Sequence, residues 1–384
     1  MIKPLIVSVL FLVLWVFQPL TAQSLDDLAF GTPNTFDIAT WNIEWFPKRN
    51  TTEDYVATII QQLDAEVLAI QEIDDERLFK DMIAAIPGYE VYIPNSYANG
   101  LGYVYKNTGF TINAIYKIYN SSAYWSIFPR SPLLMDLTVN NERLFLINNH
   151  FKCCGDGDLD LDNTNDSEFR RYEASRLLKA YIDDYLPNEK VIILGDLNDL
   201  LTDDPVNNVF QMYLDDPGNF AFADMAIANG DDTNWSYPNW PSHLDHILVT
   251  NELFPLINSN ATNVSTIRLD DYFSGGFSSY DYHVSDHRPV GIQLDFNALQ
   301  ISNSSDTPIF KLWPNPSTGT FNLELSKANL SHLIEIFDTK GRLVHKETVV
   351  NTAVLSVNNQ LNKGTYLVKV SGKFNSQTKQ LIIK

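Results

Sequence analysis

The sequence predicts an α/β protein, a two-sheet core faced by helices, followed by a small all-β immunoglobulin-like sandwich. Three observations carry that prediction. Strand-like apolar runs alternate with segments of helical period across residues 36–296, a polar stretch (NALQISNSSDTP) breaks the pattern at 297–308, and beyond it apolar residues recur at every second position. With 45% hydrophobic and 12% aromatic residues, the 384-residue chain is too apolar to be mostly disordered and has the material for a core of ordinary size.

The first 22 residues read as a signal peptide. Lys3 supplies a positive start, the 13 residues from Leu5 to Phe17 form an apolar run, and Leu20-Thr21-Ala22 ends on a small residue, so cleavage is expected after Ala22. A bilayer span needs about 20 residues, which makes the run short for a membrane anchor. The mature protein is therefore expected to be exported and secreted, with no stable membrane insertion.

Phe36 to Asn42 reads as a strand, Val56, Ile59, Ile60 and Leu63 repeat at helical spacing, and Val67 to Ile70 is a second strand. The unit then recurs. Arg143 to Asn149 is a strand, Ser167 caps a helix with Phe169, Tyr172, Leu178, Tyr181, Ile182 and Tyr185 on its inward side, and Lys190 to Leu194 is a buried strand. Two further strands, Leu244 to Thr250 and Pro289 to Phe296, follow loop-rich stretches. In the tail Phe321, Leu323 and Leu325 alternate, Ile334 and Ile336 alternate before the turn Asp338-Thr339-Lys340-Gly341, and Tyr366, Val368 and Val370 alternate before the last strand. The expected organisation is a leader at 1–22, a catalytic region at 23–296, a linker at 297–308 and a tail domain at 309–384.

Charge divides along the same line. From residue 305 onward ten Lys or Arg face five Asp or Glu, so the formal charge of −20 is carried by the preceding region. Such a region has no broad basic face with which to hold nucleic acid, because counterion release needs clustered Lys and Arg. A polyanionic substrate there requires a cation. The two cysteines, Cys153 and Cys154, exclude a disulfide framework and any four-cysteine zinc module. Adjacent Cα atoms stand about 3.8 Å apart, below the usual disulfide range of about 4.4–6.8 Å. A strained, loop-stiffening bridge and two free thiols both remain open. The acidic run GDGDLDLDN that follows lacks the spacing and closing Glu of an EF-hand and is read as a solvated loop.

Polar groups gather at strand ends, where α/β folds place ligands. They are Asn42 and Glu44 in TWNIEWF, Glu72 in AIQEI, His150 in NNHFK, Asp196 and Asn198 in GDLND, Asp245 in HLDHILV, and Asp286 and His287 in SDHRPV. Each alone has an ordinary explanation as a turn, a cap or a solvated carboxylate. As an ordered set they resemble the endonuclease/exonuclease/phosphatase superfamily, which includes deoxyribonuclease I, abasic-site endonucleases, neutral sphingomyelinases and inositol polyphosphate 5-phosphatases. That resemblance implies a four-layer α/β-sandwich and a divalent metal, usually magnesium, hydrolysing a phosphate ester at the open end of the two sheets.

The donor chemistry agrees. Glu72 and Asp286 with Asn42, and Glu44 as a fourth candidate, offer hard oxygen ligands suited to Mg2+ or Mn2+ and poor in the His and Cys of zinc sites. Two like charges at 4 Å repel by about 4 kcal/mol at an effective dielectric near 20, so carboxylates crowded against a phosphate need a cation. By resemblance, Asp196 orients or deprotonates the attacking water and Asn198 donates to a phosphoryl oxygen. His287 lies at the phosphate with Asp245 fixing its tautomer, and His150 contacts phosphate or protonates the leaving group. The glutamate partner of that second histidine has no counterpart in NSYANGLGYVYK.

The tail segments LWPNPSTGTFNLEL, IEIFDTKGRLV, LNKGTYLVKV and QLIIK resemble the type IX secretion C-terminal sorting domain of Bacteroidetes bacteria, with an adhesive or carbohydrate-binding sandwich as the alternative. The resemblance implies passage across the outer membrane by the type IX machinery. Together these readings predict a secreted, Mg-dependent monomeric nuclease acting on extracellular DNA or RNA. The alternative is a lipid-directed phosphodiesterase or phosphatase of the sphingomyelinase or inositol phosphatase kind. Its support is the aromatic content of TNWSYPNWPSH and DYFSGGFSSYDYH, while HLDHIL lacks the Arg expected of the inositol phosphatase motif. A non-enzymatic adhesin does not account for the motif set.

Overall fold

The computed structural model describes residues 23–94, 100–259, 262–296, 310–325, 331–358, 361–372 and 376–384. The expected leader and linker lie outside the described residues. The chain falls into two compact units, one ending at Leu299 and one beginning at Gln300. The first unit opens with β1 (Phe36–Phe46), α1 (Thr52–Leu63), β2 (Val67–Ile73), α2 (Glu76–Ala84), β3 (Tyr89–Tyr92), β4 (Gly100–Lys106), β5 (Thr111–Lys117) and β6 (Leu133–Val139). It continues with β7 (Glu142–His150), α3 (Ser167–Tyr185), β8 (Lys190–Asp196), α4 (Gln211–Leu214), β9 (Phe220–Phe222) and α5 (Met225–Ala228). The remaining elements are β10 (Asp245–Thr250), α6 (Phe254–Ile257), β11 (Asn263–Thr266), α7 (Phe277–His283) and β12 (Val290–Leu294).

These strands form two six-stranded mixed sheets, ordered β11-β12-β1-β2-β4-β3 and β5-β6-β7-β8-β10-β9. Three apolar clusters fill three interlayer spaces, which makes a four-layer α/β-sandwich. Trp41, Ile43, Val56, Ile60, Phe79 and Tyr280 pack helices against the first sheet. Ile38, Val67, Ala69, Leu146, Leu194 and Ile292 lie between the sheets. Phe145, Ile147, Leu178, Ile182 and Ile193 pack α3 against the second sheet. The period-2 alternation of Ile38 and Ala39 sends neighbouring residues to different clusters, and this explains why β1 is apolar on both faces.

Direction of the chain brings the site together. β1 and β2 run parallel through α1, β7 and β8 run parallel through α3, and the carboxyl ends of all four strands lie at the open end. β12 is antiparallel to β1 and β10 antiparallel to β8, so these two strands begin where the others finish. His150 consequently pairs with Asp196 across the parallel ladder, and Asp245 with Asp196 across the antiparallel one. Gly195 permits this approach: its φ is 140°, and a Cβ there would stand 1.9 Å from the Asn149 carbonyl oxygen.

The two sheets are joined by buried polar groups close behind the site. Gln71 Nε2 of β2 donates to Asn148 Oδ1 of β7 at 2.8 Å, and Asn148 Nδ2 returns to the carbonyls of Ile70 and Gly102 at 3.0 and 2.8 Å. Tyr103 of β4 donates to the Leu133 and Leu146 carbonyls at 2.8 and 3.0 Å.

Helix α3 differs from its expected form. Its cap is Asp166, whose carboxylate accepts from Phe169 N at 2.7 Å, and Ser167 is the first helical residue. A carboxylate one residue upstream reaches the orphan N–H groups and carries the charge the helix dipole favours. Tyr185 is 70% exposed, and the inward stripe is Ala174, Leu178 and Ile182, preceded by the buried polar pair Glu168 and Arg171 near the cleft.

The second unit holds a three-stranded sheet of β13 (Phe310–Trp313), β14 (Thr320–Leu325) and β17 (Val354–Asn358). A four-stranded sheet orders β16 (Leu343–Val350), β15 (Ser331–Asp338), β18 (Gly364–Ser371) and β19 (Ser376–Ile383). All strand pairs are antiparallel, and the alternating Phe321, Leu323, Leu325, Ile334, Ile336, Tyr366, Val368 and Val370 make one core.

Candidate active site

The strand ends enclose a cleft of about 660 Å³ lined by Glu44, Glu72, His150, Asp196, Asn198, Asp286 and His287. Asn42 and Asp245 lie buried beneath it. All nine residues singled out in the sequence therefore meet at one place.

Asp196 is central. Its Oδ2 accepts from Asn42 Nδ2 at 3.0 Å and stands 3.5 Å from His150 Nε2 and 3.7 Å from His287 Nε2, while Oδ1 accepts the N–H of Asn198 at 3.1 Å. Burial, with Asp245 and Glu72 nearby, pushes its carboxyl up to about 7, against the pull of His287. That places it in the range of a proton acceptor at neutral pH.

His287 Nδ1 and Asp245 Oδ2 are 2.7 Å apart. Burial alone would discharge this imidazole, but Asp245, Asp196 and Asp286 outweigh it and hold it well above the usual histidine range, as a cation with Nε2 directed at the cleft. His150 behaves oppositely. Burial, then the charges of Arg130 and His287, push it well below the usual range, and its buried Nδ1 meets no partner among the described residues. Burial thus keeps the imidazole neutral, with Nε2 3.7 Å from Glu72 and 3.5 Å from Asp196.

Glu44, Glu72 and Asp286 supply the hard oxygens. Glu44 Oε2 accepts the N–H of Asp286 at 2.8 Å and pairs with Lys48, and burial raises both Glu44 and Asp286 above ordinary carboxylates. Asn42 lies between these carboxylates. Its Oδ1 accepts from Glu44 N at 2.9 Å and its Nδ2 donates to Glu72 at 3.2 Å and to Asp196 at 3.0 Å. Three acids of raised proton affinity beside a fourth make an oxygen-rich set that fits a hard divalent cation, with the Nε2 atoms of His150 and His287 standing 3.5 to 4.0 Å from its oxygens.

Backbone geometry fixes the ligand end of β1. Glu44 and Trp45 have φ of 29° and 49°, left-handed values that cost about 1–3 kcal/mol each in non-glycine residues. The register shift between Asn42 and Phe46 turns Glu44 into the cleft, Trp45 outward and Phe46 back into the core, and Trp45 N donates to Glu72 at 3.3 Å.

Several supporting residues were not singled out in the sequence. Ser285 Oγ donates to the Asn42 carbonyl at 2.7 Å and accepts from His287 N at 3.0 Å, tying β1 to the β12 entry. Ser236 Oγ accepts the N–H groups of Leu244 and Asp245, both at 3.1 Å, and the Tyr237 ring lies 4.9 Å from that of His287. Arg171 binds Asp199 at 2.7 Å and the carbonyls of Lys152 and Cys154 at 2.8 and 2.6 Å, which anchors the segment after His150. Ser285 and Asp199 sit inside the SDHRPV and GDLND segments, and their types alone could have flagged them. Cys153 and Cys154 are exposed free thiols, and the acidic run after them is solvated.

A four-layer sandwich with this constellation at its open end defines a phosphoesterase. The chain belongs to the Endonuclease/Exonuclease/phosphatase family, whose profile matches residues 39–287, and it ends in a secretion system C-terminal sorting domain matched over residues 311–384. The protein is thus a hydrolase of phosphate esters with a tail that implies export across the outer membrane. Similar solved structures include zebrafish TDP2 complexed with single strand DNA product, at 14% identity, covering 68% of this chain and 98% of that one with a TM-score of 0.49. Another is an endonuclease/exonuclease/phosphatase from Beutenbergia cavernae, at 14% identity over 91% of this chain and all of that one, with a TM-score of 0.46. A third is the human Nocturnin catalytic domain with bound sulfate, at 15% identity over 68% of this chain and 93% of that one, with a TM-score of 0.47. No curated protein matches the chain. Among the described residues no helix is long and apolar enough to cross a membrane.

Proposed function

We propose that this protein is an exported, Mg2+-dependent nuclease that hydrolyses phosphodiester bonds of extracellular DNA or RNA, with Mn2+ able to substitute. The observation that carries this reading is the convergence of a raised carboxyl (Asp196), a cationic imidazole (His287) and a neutral one (His150) beside the Glu44, Glu72 and Asp286 oxygens. Those three acids would hold the ion, which neutralises phosphoryl charge when bound. Asp196 orients the attacking water and takes its proton. His287 donates from Nε2 to a phosphoryl oxygen while Asp245 holds its Nδ1–H, and His150 donates from Nε2 to a second oxygen. Asn198 offers its side-chain amide from the cleft wall, where its present hydrogen bond to Phe151 O is a long 3.4 Å.

A lipid-directed phosphodiesterase is the second reading, favoured by indole rings exposed at the rim of the cleft. A substrate panel of plasmid DNA, RNA, sphingomyelin and inositol phosphates, each with Mg2+, Mn2+, Ca2+ or chelator, separates the two. Nucleic acid loss that chelator stops is the expected result. Phosphocholine release without strand cleavage would replace the nuclease reading.

Metal affinity should rise with pH. Asp196 near 7 and the raised Glu44 and Asp286 hold protons that a bound cation must displace or repel, so Mg2+ binds more tightly at pH 8 than at pH 6 and releases protons at the lower pH. In chelator the sign for stability is the reverse. A carboxyl raised by burial favours the folded state below its unfolded value of 3.8, and that contribution is lost as pH rises through about 7. The Mg2+-induced rise in Tm is accordingly larger at pH 8. Calorimetric titration and melting at both pH values check this, and equal affinity at the two would contradict it.

A further inference from the structure

Two indole rings stand exposed at the rim of the catalytic cleft, Trp45 at 60% and Trp240 at 78%, in a protein that buries Trp41 completely. Both are presented by built features. The left-handed residues Glu44 and Trp45 turn the ring of Trp45 to solvent between the buried Ile43 and Phe46. Trp240 sits at the tip of a turn closed by paired backbone bonds between Tyr237 and Ser242, with Ser242 Oγ donating to its carbonyl at 2.7 Å. Asn239 beside it is tied to Asp281 at 3.0 Å.

Trp45 also divides two clefts. On one side lies the catalytic cleft, and on the other a cleft of about 610 Å³ that shares Glu44 and Trp45 and contains Arg49 and Tyr282. The Arg49 guanidinium lies 4.4 Å over the Tyr282 ring and forms no ion pair among the described residues. In a strongly acidic chain, an unpaired cation next to a ring, one step beyond an indole, suits a phosphate that follows a stacked base. The remaining cations that line the two clefts are committed, Lys48 to Glu44 and Asp281, Arg171 to Glu168 and Asp199, and His287 to Asp245.

We propose that Trp45 and Trp240 are stacking platforms for bases on either side of the scissile phosphate, with Arg49 receiving a neighbouring phosphate, and that the substrate is single-stranded nucleic acid. This rests on the nuclease reading above. A flat indole gains contact only from an unstacked base face, which a single strand offers and a duplex hides. Duplex binding would instead need a row of free cations along both backbones, and among the described residues that line the two clefts Arg49 alone has a positive charge without an ion pair. A membrane-inserting surface is the weaker fit, since each indole is flanked by polar groups, Glu44 and Glu72 for Trp45, Asn239 and Ser242 for Trp240.

The test compares wild type, Trp45→Ala, Trp240→Ala and the corresponding Phe variants on four substrates with Mg2+: a 15-nucleotide DNA strand, the same strand as RNA, its DNA duplex, and bis(p-nitrophenyl) phosphate. Each Ala variant should lose about 10-fold more kcat/KM on a single strand than on the small ester, mainly through KM, and the Phe variants should recover most of it. Arg49→Ala should flatten the salt dependence of strand cleavage. Equal losses on strand and small ester would overturn the proposal, because the tryptophans would then be props for Glu44 and Glu72. Equal wild-type cleavage of duplex and single strand, with the variants unimpaired, would also overturn it. Failure of the nuclease reading looks different: wild type would hydrolyse the small ester and no strand at all. Trp-dependent binding to sphingomyelin and phosphatidylcholine vesicles would then assign the rim to a membrane.

Discussion

Asp196→Asn should lower kcat by roughly 10²- to 10⁴-fold, the usual share of the general base proposed for it, with little change in KM for the small ester. The amide keeps the volume and the bond from Asn198 N while removing the one oxygen placed within 3.7 Å of both histidine Nε2 atoms. Folding should survive, because the wild-type carboxyl is already disfavoured as an anion by burial and by Asp245 and Glu72. A second readout separates this from general damage. Asp196 is among the charges that hold His287 cationic, so the variant's His287 should titrate at lower pH by NMR. Near-normal turnover with an unmoved His287 would remove Asp196 from the chemistry.

His287→Ala carries the other large effect. It removes the cationic imidazole facing the cleft, and kcat should fall by roughly 10²- to 10⁴-fold. It also strands Asp245, whose Oδ1 has no partner among the described residues and whose Oδ2 would lose its 2.7 Å contact. Removing one member of a buried ionic pair typically costs about 3–5 kcal/mol, so Tm should drop in this variant and recover in His287→Ala combined with Asp245→Ala. The same double variant should be no slower than His287→Ala alone, since Asp245 acts through the imidazole. A further multiplicative loss would give Asp245 a role of its own.

The site was legible in the sequence because each of its residues ends or begins a strand of strong apolar character. TWN, AIQE, NNH and GD close parallel strands, while HLD and SDH open antiparallel ones, so strand polarity alone gathers them. The hydrogen bonds of Asn42 were not legible, since an amide offers both donor and acceptor and its partners, the Glu44 N–H and the Glu72 and Asp196 carboxylates, come from three different strand ends. Strands β4, β6 and β9 were not read from the sequence either, and β3, β5 and β11 were hidden for a different reason. Their residues are half-exposed at or near sheet edges, as the mixed burial along Thr111–Lys117 shows, and edge strands lack the continuous apolar run that marks a central one. Ser236 and Tyr237 depend on a turn that returns to β10, and no local pattern announces such a pairing.

Gln71 and Asn148 join the sheets directly behind the reacting groups, and the two halves of the site are divided between those sheets. Asn42, Glu72 and Asp286 ride on one and His150, Asp196 and Asp245 on the other. Turnover is therefore a gauge of how tightly the sandwich is closed. A parting of the sheets by an ångström or two would silence the enzyme while its helices and strands still gave their full circular-dichroism signal, a parting that the amide clasp and the apolar layer between the sheets both oppose.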